Sequence, residues 1–341
     1  MRARRIVLAQ RPVGLPRDDD FAMETVDLPS LADGEVAVES LYLSVDPYMR
    51  NRMGPPTGPG PAQALGSPVA GGVIGRVVES RSEAWTVGDV VLGSYGWQTA
   101  AVLPEGAVRT ADTHGLPLTT ALGVLGSTGV TGYFGMRDVG RPGPGDTVVV
   151  SAAAGAVGLV ASQVARILGA RVIGVAGTEA KCAYLTHEAR LAAAVDYHRT
   201  DFADALAAQC PERVNVYFDN VGGPVSRAVL GQIAMRARLV VCGQIAKYNG
   251  EPPEGDETPI PTLLLHHGAS MQGFMVMHYA DRAAEARAQL AEWIHQGQLR
   301  YAETVVNGFD QTVDAFRSLF TGANLGKLLV HVGDQADHSR A

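Results

Sequence analysis

The sequence predicts an α/β protein in which a doubly wound parallel sheet is combined with a smaller, β-barrel-like domain. From about residue 121 onward, predicted strands and helices alternate, which is typical of a parallel sheet with helices on both faces. Before that point, short segments of alternating hydrophobicity are separated by glycine-containing turns, as in a small β domain. A chain of 341 residues is long enough for two domains with a core each.

In the β-rich part, three alternating segments predict strands: Glu35–Leu41, Val73–Glu79 and Asp89–Gly93. The stretch Gly54–Pro61 is rich in glycine and proline, which excludes a helix or a central strand. It predicts a surface loop, and a lid over a substrate cleft is the alternative.

The most informative segment runs from Val148 to Gly158. Its valines predict a buried strand, the small residues that follow predict a tight turn, and Leu159–Leu168 predicts a helix. The spacing matches the pattern G-x-G-x-x-G, with Ala153 in the first glycine position and then Gly155 and Gly158. Such a turn lets a pyrophosphate approach the N–H groups at a helix N-terminus. A turn that serves packing alone is the alternative.

The residues after the next predicted strand, Arg171–Ala176, select the cofactor. An NAD enzyme usually places Asp or Glu about 20 residues past the glycines. That position falls near Gly177, and Lys181 follows. A missing acid and a nearby cation favour a 2′-phosphate and therefore NADP(H). A solvated lysine at a helix start is the alternative, and Glu179 complicates the local charge.

Further along, the pattern predicts strands at Asn215–Asp219 and Leu239–Gly243 and helices at Pro224–Ile233 and Ala283–His295. A last helix, Gln311–Phe320, and a last strand, Gly326–Val332, are expected to return to the first domain. In a parallel sheet, ligands bind beyond the carboxyl ends of the strands. Three segments follow strands and are expected to face the cofactor: Asp219–Gly223, Cys242–Asn249 and Gly273–Val276.

Composition and charge narrow the function classes. A net charge of −7 argues against general nucleic-acid binding, and no apolar run approaches the length of a membrane span. The N-terminus is typical of a first strand rather than of a signal peptide. Three widely spaced cysteines fit a reducing cytoplasm. We therefore expect a cytoplasmic protein that binds a small molecule, without a membrane or nucleic-acid partner.

The sequence also predicts hydride chemistry without a metal. No cysteine lies in the first domain, and the neighbours His266 and His267 would point in different directions. Reduction of a carbon–carbon double bond conjugated to a carbonyl develops a delocalised enolate, which one or two hydrogen bonds can stabilise. Tyr248 could donate one of them; an aromatic side chain that caps a loop is the alternative.

Several strings resemble one known family, the zinc-free medium-chain dehydrogenase/reductases. Within it, the chain resembles the branch of prostaglandin reductase, leukotriene hydroxydehydrogenase and alkenal double-bond reductase, which includes bacterial curcumin reductases. The strings are Asp46–Arg50, Gly96–Gln98, Ser151–Gly158, Tyr217–Gly223, Cys242–Ile245, Tyr248–Asn249 and Gly322–Lys327.

The resemblance implies a Rossmann doubly wound parallel sheet inserted into a GroES-like β-barrel catalytic domain. The implied boundaries are 1–124 and 300–341 for the catalytic domain and 125–299 for the Rossmann NADP-binding domain. It further implies NADP(H), a homodimer, and reduction of α,β-unsaturated ketones or aldehydes, with hydride added to the β-carbon.

The resemblance also assigns residues. Tyr248 would stabilise the enolate and Tyr48 would contact the substrate. Lys181 and Tyr197 would contact the 2′-phosphate. The other implied cofactor contacts are Gly155, Ala156, Val157, Gly158, Asn220, Cys242, Gly243, Gln244, Ile245, Phe274, Met275, Val276 and Asn324. An NADPH quinone oxidoreductase of the same superfamily is the alternative enzyme, and a non-catalytic NADP-binding protein is the alternative from another class.

Overall fold

The computed structural model describes residues 1–55, 62–250 and 259–333, and the chain divides into two compact units. The first unit contains Met1–Leu122, Thr304–Asn324 and the described residues from Leu328 onward. The second unit contains Gly123–Glu303 and Leu325–Lys327. Within the described ranges, no helix combines the length and apolar character that crossing a membrane requires.

The elements of the first 122 residues are β1 (Arg2–Leu8), β2 (Phe21–Asp27), β3 (Glu35–Ser44), α1 (Tyr48–Arg52), β4 (Val73–Ser80), β5 (Val90–Gly93), β6 (Ala100–Pro104) and β7 (Val108–Thr110). Those of the next segment are α2 (Ser127–Phe134), β8 (Thr147–Val150), α3 (Ala156–Ile167), β9 (Arg171–Ala176), α4 (Glu179–His187), β10 (Ala193–Asp196), α5 (Phe202–Gln209), β11 (Val214–Asp219), α6 (Gly223–Leu230), β12 (Ile233–Val241), α7 (Ile260–His267), β13 (Ser270–Gly273) and α8 (Ala283–His295). The chain then adds β14 (Glu303–Asn307), α9 (Thr312–Ser318) and β15 (Lys327–His331).

The first unit is built on antiparallel pairing. Strands β1 and β2 pair with each other, and a larger sheet has the order β14-β15-β3-β4-β5-β7, with β6 also paired to β3. The last strand, β15, lies antiparallel to β3, so the end of the chain joins the sheet formed by its beginning. Its core is mainly aliphatic and includes three buried aromatic side chains, Trp97, Phe309 and Phe316, of which the Trp97 and Phe316 rings meet edge to face at 5.5 Å.

The second unit holds a six-stranded sheet in the order β10-β9-β8-β11-β12-β13, and every neighbouring pair is parallel. In chain order this is 3-2-1-4-5-6, the strand order of a Rossmann fold. The predicted fold class is therefore confirmed. The order reverses between β8 and β11, and in such sheets ligands bind beyond the carboxyl ends of the strands at this switch point.

One part of the sequence-based prediction is wrong. The helix predicted at Pro224–Ile233 ends at Leu230, and Ile233 already begins β12, where it pairs with Val214. The pattern of this strand is irregular because the register shifts between Val214 and Val216 and Arg236 has a φ of +61°. Of the predicted loop Gly54–Pro61, only residues 54 and 55 lie within the described residues.

A segment near the end of the chain is hydrogen-bonded to the turn between β8 and α3. The Gly326 N–H donates to the carbonyl oxygen of Ala154 at 2.7 Å, and the Lys327 N–H donates to the carbonyl oxygen of Ala302 at 2.9 Å. Gly326 has a φ of +66°, and a Cβ atom there would overlap the Ala302 carbonyl oxygen. Glycine is therefore required at position 326 both for its backbone conformation and for space.

We predict that Gly326→Ala lowers the Tm of the protein clearly more than Gly268→Ala does. Gly268 is a matched control because its φ is +55° but nothing lies within 4 Å of an added Cβ. In the control, the free energy of unfolding should fall by about 1–2 kcal/mol, because alanine is strained in the left-handed conformation. Gly326→Ala should at least double that loss, since the backbone of Ala302 must move as well. Equal Tm values in thermal unfolding would contradict the prediction.

Candidate cofactor and active site

The turn between β8 and α3 has the geometry of a phosphate-binding turn. Helix α3 begins after Gly155 without a side-chain cap, so no side chain competes with a ligand for the N–H groups at the start of the helix. A Cβ atom on Gly158 would overlap the Ala152 carbonyl oxygen. The left-handed residue of the turn is Ala152, with a φ of +47°, and not Ala153, which the spacing had put in the first glycine position. These features fit the pyrophosphate of a dinucleotide.

The ends of β9 and β10 bring Gly177 and Tyr197 together. The Tyr197 ring lies against Gly177, where a Cβ atom would be 2.9 Å from ring carbon Cε1 and 3.0 Å from the hydroxyl oxygen. The place where an NAD enzyme carries its acid is therefore filled by the Tyr197 ring. Helix α4 follows at once, and the Thr178 hydroxyl accepts a hydrogen bond from the Lys181 N–H at 3.2 Å. Burial lowers the pKa of the Lys181 ammonium, so a phosphate beside it would stabilise its charged form.

The buried carboxylate of Asp219 organises the loop after β11. Its Oδ1 accepts hydrogen bonds from the N–H groups of Val221 and Gly222, both at 2.9 Å, and from the Tyr217 hydroxyl at 2.9 Å. Its Oδ2 accepts from the Ser226 hydroxyl at 2.7 Å. These bonds fix the backbone that leads into α6.

The loops after β8 and β11 are joined by Ser151 and Asn220. The Asn220 N–H donates to the Ser151 hydroxyl at 2.8 Å, and the Asn220 side-chain amide donates to the Ser151 carbonyl oxygen at 2.7 Å. The Ser151 hydroxyl donates in turn to Asp219 at 3.2 Å. Since the Asn220 amide nitrogen already donates within the protein, its Oδ1 atom is the better placed to bind a ligand.

The loop after β12 is hydrogen-bonded to the loop after β11. The N–H groups of Cys242 and Gly243 donate to the Asp219 carbonyl oxygen at 2.9 and 3.0 Å. The Ile245 N–H donates to the Asn220 carbonyl oxygen at 3.3 Å, and the Ala246 N–H donates to that of Val221 at 3.0 Å. This pairing explains why the predicted strand Leu239–Gly243 ends at Val241: the next two N–H groups turn towards one carbonyl oxygen.

Tyr248 lies at the end of this loop. Its hydroxyl oxygen accepts a hydrogen bond from the Gln244 N–H at 3.3 Å. The hydroxyl also faces Gly243, where an added Cβ atom would be 3.4 Å away. Because the oxygen is already an acceptor, the hydroxyl proton can be donated to another group.

The Cys242 thiol lies in the same loop. Burial raises its pKa to about 12, and the nearby Asp219 carboxylate adds to the effect. The thiol is therefore protonated at neutral pH, which makes it a poor nucleophile.

The segment after β13 contains Phe274, Met275 and Val276. The Phe274 ring meets Phe218 edge to face at 6.4 Å, and Gly135 leaves space for it, since a Cβ atom there would overlap the ring. Met275 is exposed. Phe218 of β11 thus packs against the Phe274 ring, whereas the Met275 side chain is exposed.

In the first unit, only one member of the string Asp46–Arg50 is exposed. Met49 and Arg50 are buried, and the Arg50 guanidinium donates to the carbonyl oxygens of Pro12 and Gly14, each at 3.0 Å. Asp46 is also buried and accepts from the Ser44 hydroxyl. Tyr48 is 45% exposed, although burial of its hydroxyl raises its pKa to about 12, with a further contribution from Asp46. It is thus a neutral hydrogen-bond donor at neutral pH.

The structure places several of the residues predicted from the sequence in the second unit, and two others belong to the first unit. The turn Gly155–Gly158, Asn220 and the loop Cys242–Tyr248 meet at the switch point. Tyr48 and the half-buried Asn324 belong to the first unit. Sequence reasoning missed the roles of Ser151 and Asp219. An aspartate at the end of a buried strand and three residues before a glycine is a signal of a side chain that caps the loop after it.

Comparisons with known proteins agree with this geometry. Residues 4–110 match a family described as the N-terminal domain of oxidoreductase, and residues 156–296 match one described as zinc-binding dehydrogenase. Among the described residues, no cluster of His, Cys, Asp and Glu could hold a metal ion. YfmJ of Bacillus subtilis, which is named as an NADP-dependent oxidoreductase, is 46% identical over 96% of this chain and 97% of its own length.

Two further matches are similar in extent. The NADPH-dependent curcumin reductase of Escherichia coli is 36% identical over 97% of both chains. The crystal structure of CurA from Vibrio vulnificus in complex with NADPH superposes with a TM-score of 0.92, at 38% identity, over 97% of this chain and 99% of that one. The chain therefore belongs to the zinc-free medium-chain dehydrogenase/reductases, a family of NADP-dependent oxidoreductases.

Proposed function

We propose that this NADP-dependent oxidoreductase reduces the carbon–carbon double bond of α,β-unsaturated ketones and aldehydes. The observation that carries the proposal is the Tyr248 hydroxyl, which is held by the Gln244 N–H at the carboxyl edge of the parallel sheet. The likeness to a curcumin reductase supports the same substrate class.

The residues present fit NADP(H). The uncapped start of α3, with the turn Gly155–Gly158, would hold the pyrophosphate. Lys181 and Tyr197 would hold the 2′-phosphate at the ends of β9 and β10. The remaining contacts would come from the loops after β11, β12 and β13 and from Asn324: these are Asn220, Cys242, Gly243, Gln244, Ile245, Phe274, Met275 and Val276.

The proposed chemistry divides the work between cofactor and protein. When bound, NADPH supplies the hydride for the β-carbon of the substrate. Negative charge then develops on the substrate's carbonyl oxygen, because the enolate is delocalised. The Tyr248 hydroxyl would donate a hydrogen bond to that oxygen, and a donor already fixed by the protein does not have to reorient as the charge appears. The α-carbon would then take a proton from solvent or through that hydroxyl, which completes the reduction of the double bond. Tyr48 would contact the substrate.

We predict that Tyr248→Phe lowers kcat for an enone by about 100-fold, the typical cost of removing one donor to a developing oxyanion. The Kd for NADPH should change little, because the ring and the backbone of the loop remain. Steady-state kinetics and a fluorescence titration with NADPH measure the two quantities.

Tyr184→Phe is the matched control for this experiment. It also removes a phenol hydroxyl, one that donates to the Tyr301 carbonyl oxygen at 3.4 Å on another part of the second unit. Unchanged kcat in Tyr248→Phe would remove Tyr248 from the mechanism. A wild-type enzyme that oxidises NADPH with a quinone but with no linear enone would favour a quinone oxidoreductase instead.

We predict that Lys181→Ala raises KM for NADPH by about tenfold, or about 1.4 kcal/mol, and leaves KM for NADH nearly unchanged. The reason is that the lysine would pair with the 2′-phosphate, which NADH lacks. Measuring initial rates with both cofactors makes NADH the internal control. A similar rise in both KM values would contradict the role of Lys181 at the phosphate.

We infer that the protein is a homodimer joined through β13. This strand is the last in its sheet, and all four of its residues are exposed. Large apolar side chains near it are exposed as well, with Leu265 at 80% and Met277 at 65%. An open edge strand with apolar neighbours can pair with the same strand of a second copy around a two-fold axis.

We predict that the double substitution Met271→Glu and Met277→Glu converts a dimer into monomers, because it places four carboxylates at the paired edges. Light scattering coupled to size-exclusion chromatography measures the mass. Met23→Glu is the control, since Met23 is also exposed but lies on β2 of the first unit. A wild-type mass equal to one chain would overturn the inference.

We also infer a cytoplasmic location. The three cysteines, Cys182, Cys210 and Cys242, form no disulfide, which suits a reducing compartment.

We further infer that residues 1–124 and 300–341 form the catalytic domain and that residues 125–299 form the NADP-binding domain.

A further inference from the structure

The Asp219 carboxylate is buried among neutral hydrogen-bond donors. Only 6% of the residue is exposed. Its donors are two backbone N–H groups and the hydroxyls of Tyr217, Ser226 and Ser151. Burying a carboxylate without a cation is costly unless its oxygens are well satisfied. Such a site therefore has one favourable arrangement, and the groups that donate to it are held in place.

The backbone that Asp219 holds continues towards Tyr248. Val221 and Gly222 are fixed by the carboxylate, and the carbonyl oxygens of residues 219, 220 and 221 each accept N–H groups from the loop after β12. That loop contains Gln244, whose N–H donates to the Tyr248 hydroxyl. Hydrogen bonds, together with the short stretches of backbone between them, thus connect the Asp219 carboxylate to the Tyr248 oxygen.

We propose that Asp219 is the positioning residue for Tyr248: its carboxylate sets the loop geometry that aims the Tyr248 hydroxyl. The proposal rests on the function proposed above. An asparagine at 219 has the same shape but only one accepting atom. Its NH₂ group would face either the Ser226 hydroxyl or the N–H groups of Val221 and Gly222. In the second case the two N–H donors lose their acceptor. In the first, the Ser226 hydroxyl must turn towards the Tyr217 hydroxyl, 2.8 Å away, and the bonds from Val221 and Gly222 go to a neutral amide oxygen, which accepts more weakly than a carboxylate. In either case the loop is held less tightly, but the asparagine side chain still fills the space of the aspartate.

The test is a double-mutant cycle in the full-length enzyme, with kcat for an enone and Kd for NADPH as readouts. We expect Asp219→Asn to lower kcat, measured at saturating NADPH, by about tenfold or more. The Kd for NADPH should rise as well, because Asn220 and Cys242–Ile245, which we propose as cofactor contacts, lie on the same loops. In a Tyr248→Phe background the same substitution should lower kcat by less than about twofold, since the hydroxyl it positions is gone. Asp204→Asn, an exposed aspartate on α5, is the matched control and should leave both readouts unchanged.

The outcomes separate the two proposals. If Tyr248→Phe slows the enzyme but Asp219→Asn lowers kcat by its full factor in both backgrounds, Asp219 does not act through Tyr248 and the positioning role is overturned. If Tyr248→Phe leaves kcat unchanged, the proposed function loses its central residue. Should Asp219→Asn fail to fold, Ser226→Ala removes the donor to Oδ2, together with the hydrogen bond between the Ser226 and Tyr217 hydroxyls, and keeps the carboxylate. It should give a smaller loss of kcat that also disappears in the Tyr248→Phe background, and a loss that persists there would equally overturn the role.

Discussion

The close approach of helix α3 to the turn after β8 is the constraint on which the cofactor edge depends. There is no room for a side chain at Gly158, since a Cβ atom would overlap the Ala152 carbonyl oxygen. The close contact at Gly158 places the N-terminus of α3 at the switch point of the sheet. There the helix dipole and the N–H groups can bind a phosphate. The distant Gly326 holds the same turn from the other side through its bond to Ala154.

Beyond the ends of β11 and β12, the regular hydrogen bonds between strands are followed by a network of hydrogen bonds between the loops. At the ends of β11 and β12, backbone N–H groups turn to shared carbonyl oxygens, and the Asp219 carboxylate accepts from side chains and backbone alike. A buried charge satisfied by neutral donors adds little net stability but specifies one conformation. At this edge, a single loop conformation matters more for the proposed function than added stability does, because the proposed catalytic hydroxyl lies on the loop.

The sequence predicts what depends on periodicity and misses what depends on distant partners. Helix α8 and strand β9 have the predicted bounds because their patterns are regular and local. The first residue of β12, Ile233, was assigned to the preceding helix, and the predicted strand began only at Leu239. Met235 and Arg236 between them are exposed and the register shifts beside them, so this part of β12 lacks a regular strand pattern. The turn was recognised, but the burial of Asp219 requires Ser151, 68 residues earlier in the chain. No local pattern reports such a contact, and the same holds for Gly326 and Ala154.

The groups at this edge are suited to an electrophilic substrate. The β-carbon of an enone accepts a hydride, and it would equally accept a thiolate. Cys242 lies in the same loop as Tyr248, but burial and the Asp219 carboxylate raise its pKa to about 12. At neutral pH the sulfur is therefore a thiol, and it is a poor nucleophile. The carboxylate that shapes the loop thus also disfavours the thiolate. For the function proposed above, such a site would donate hydrogen bonds to the developing enolate without presenting a thiolate that would add to the substrate.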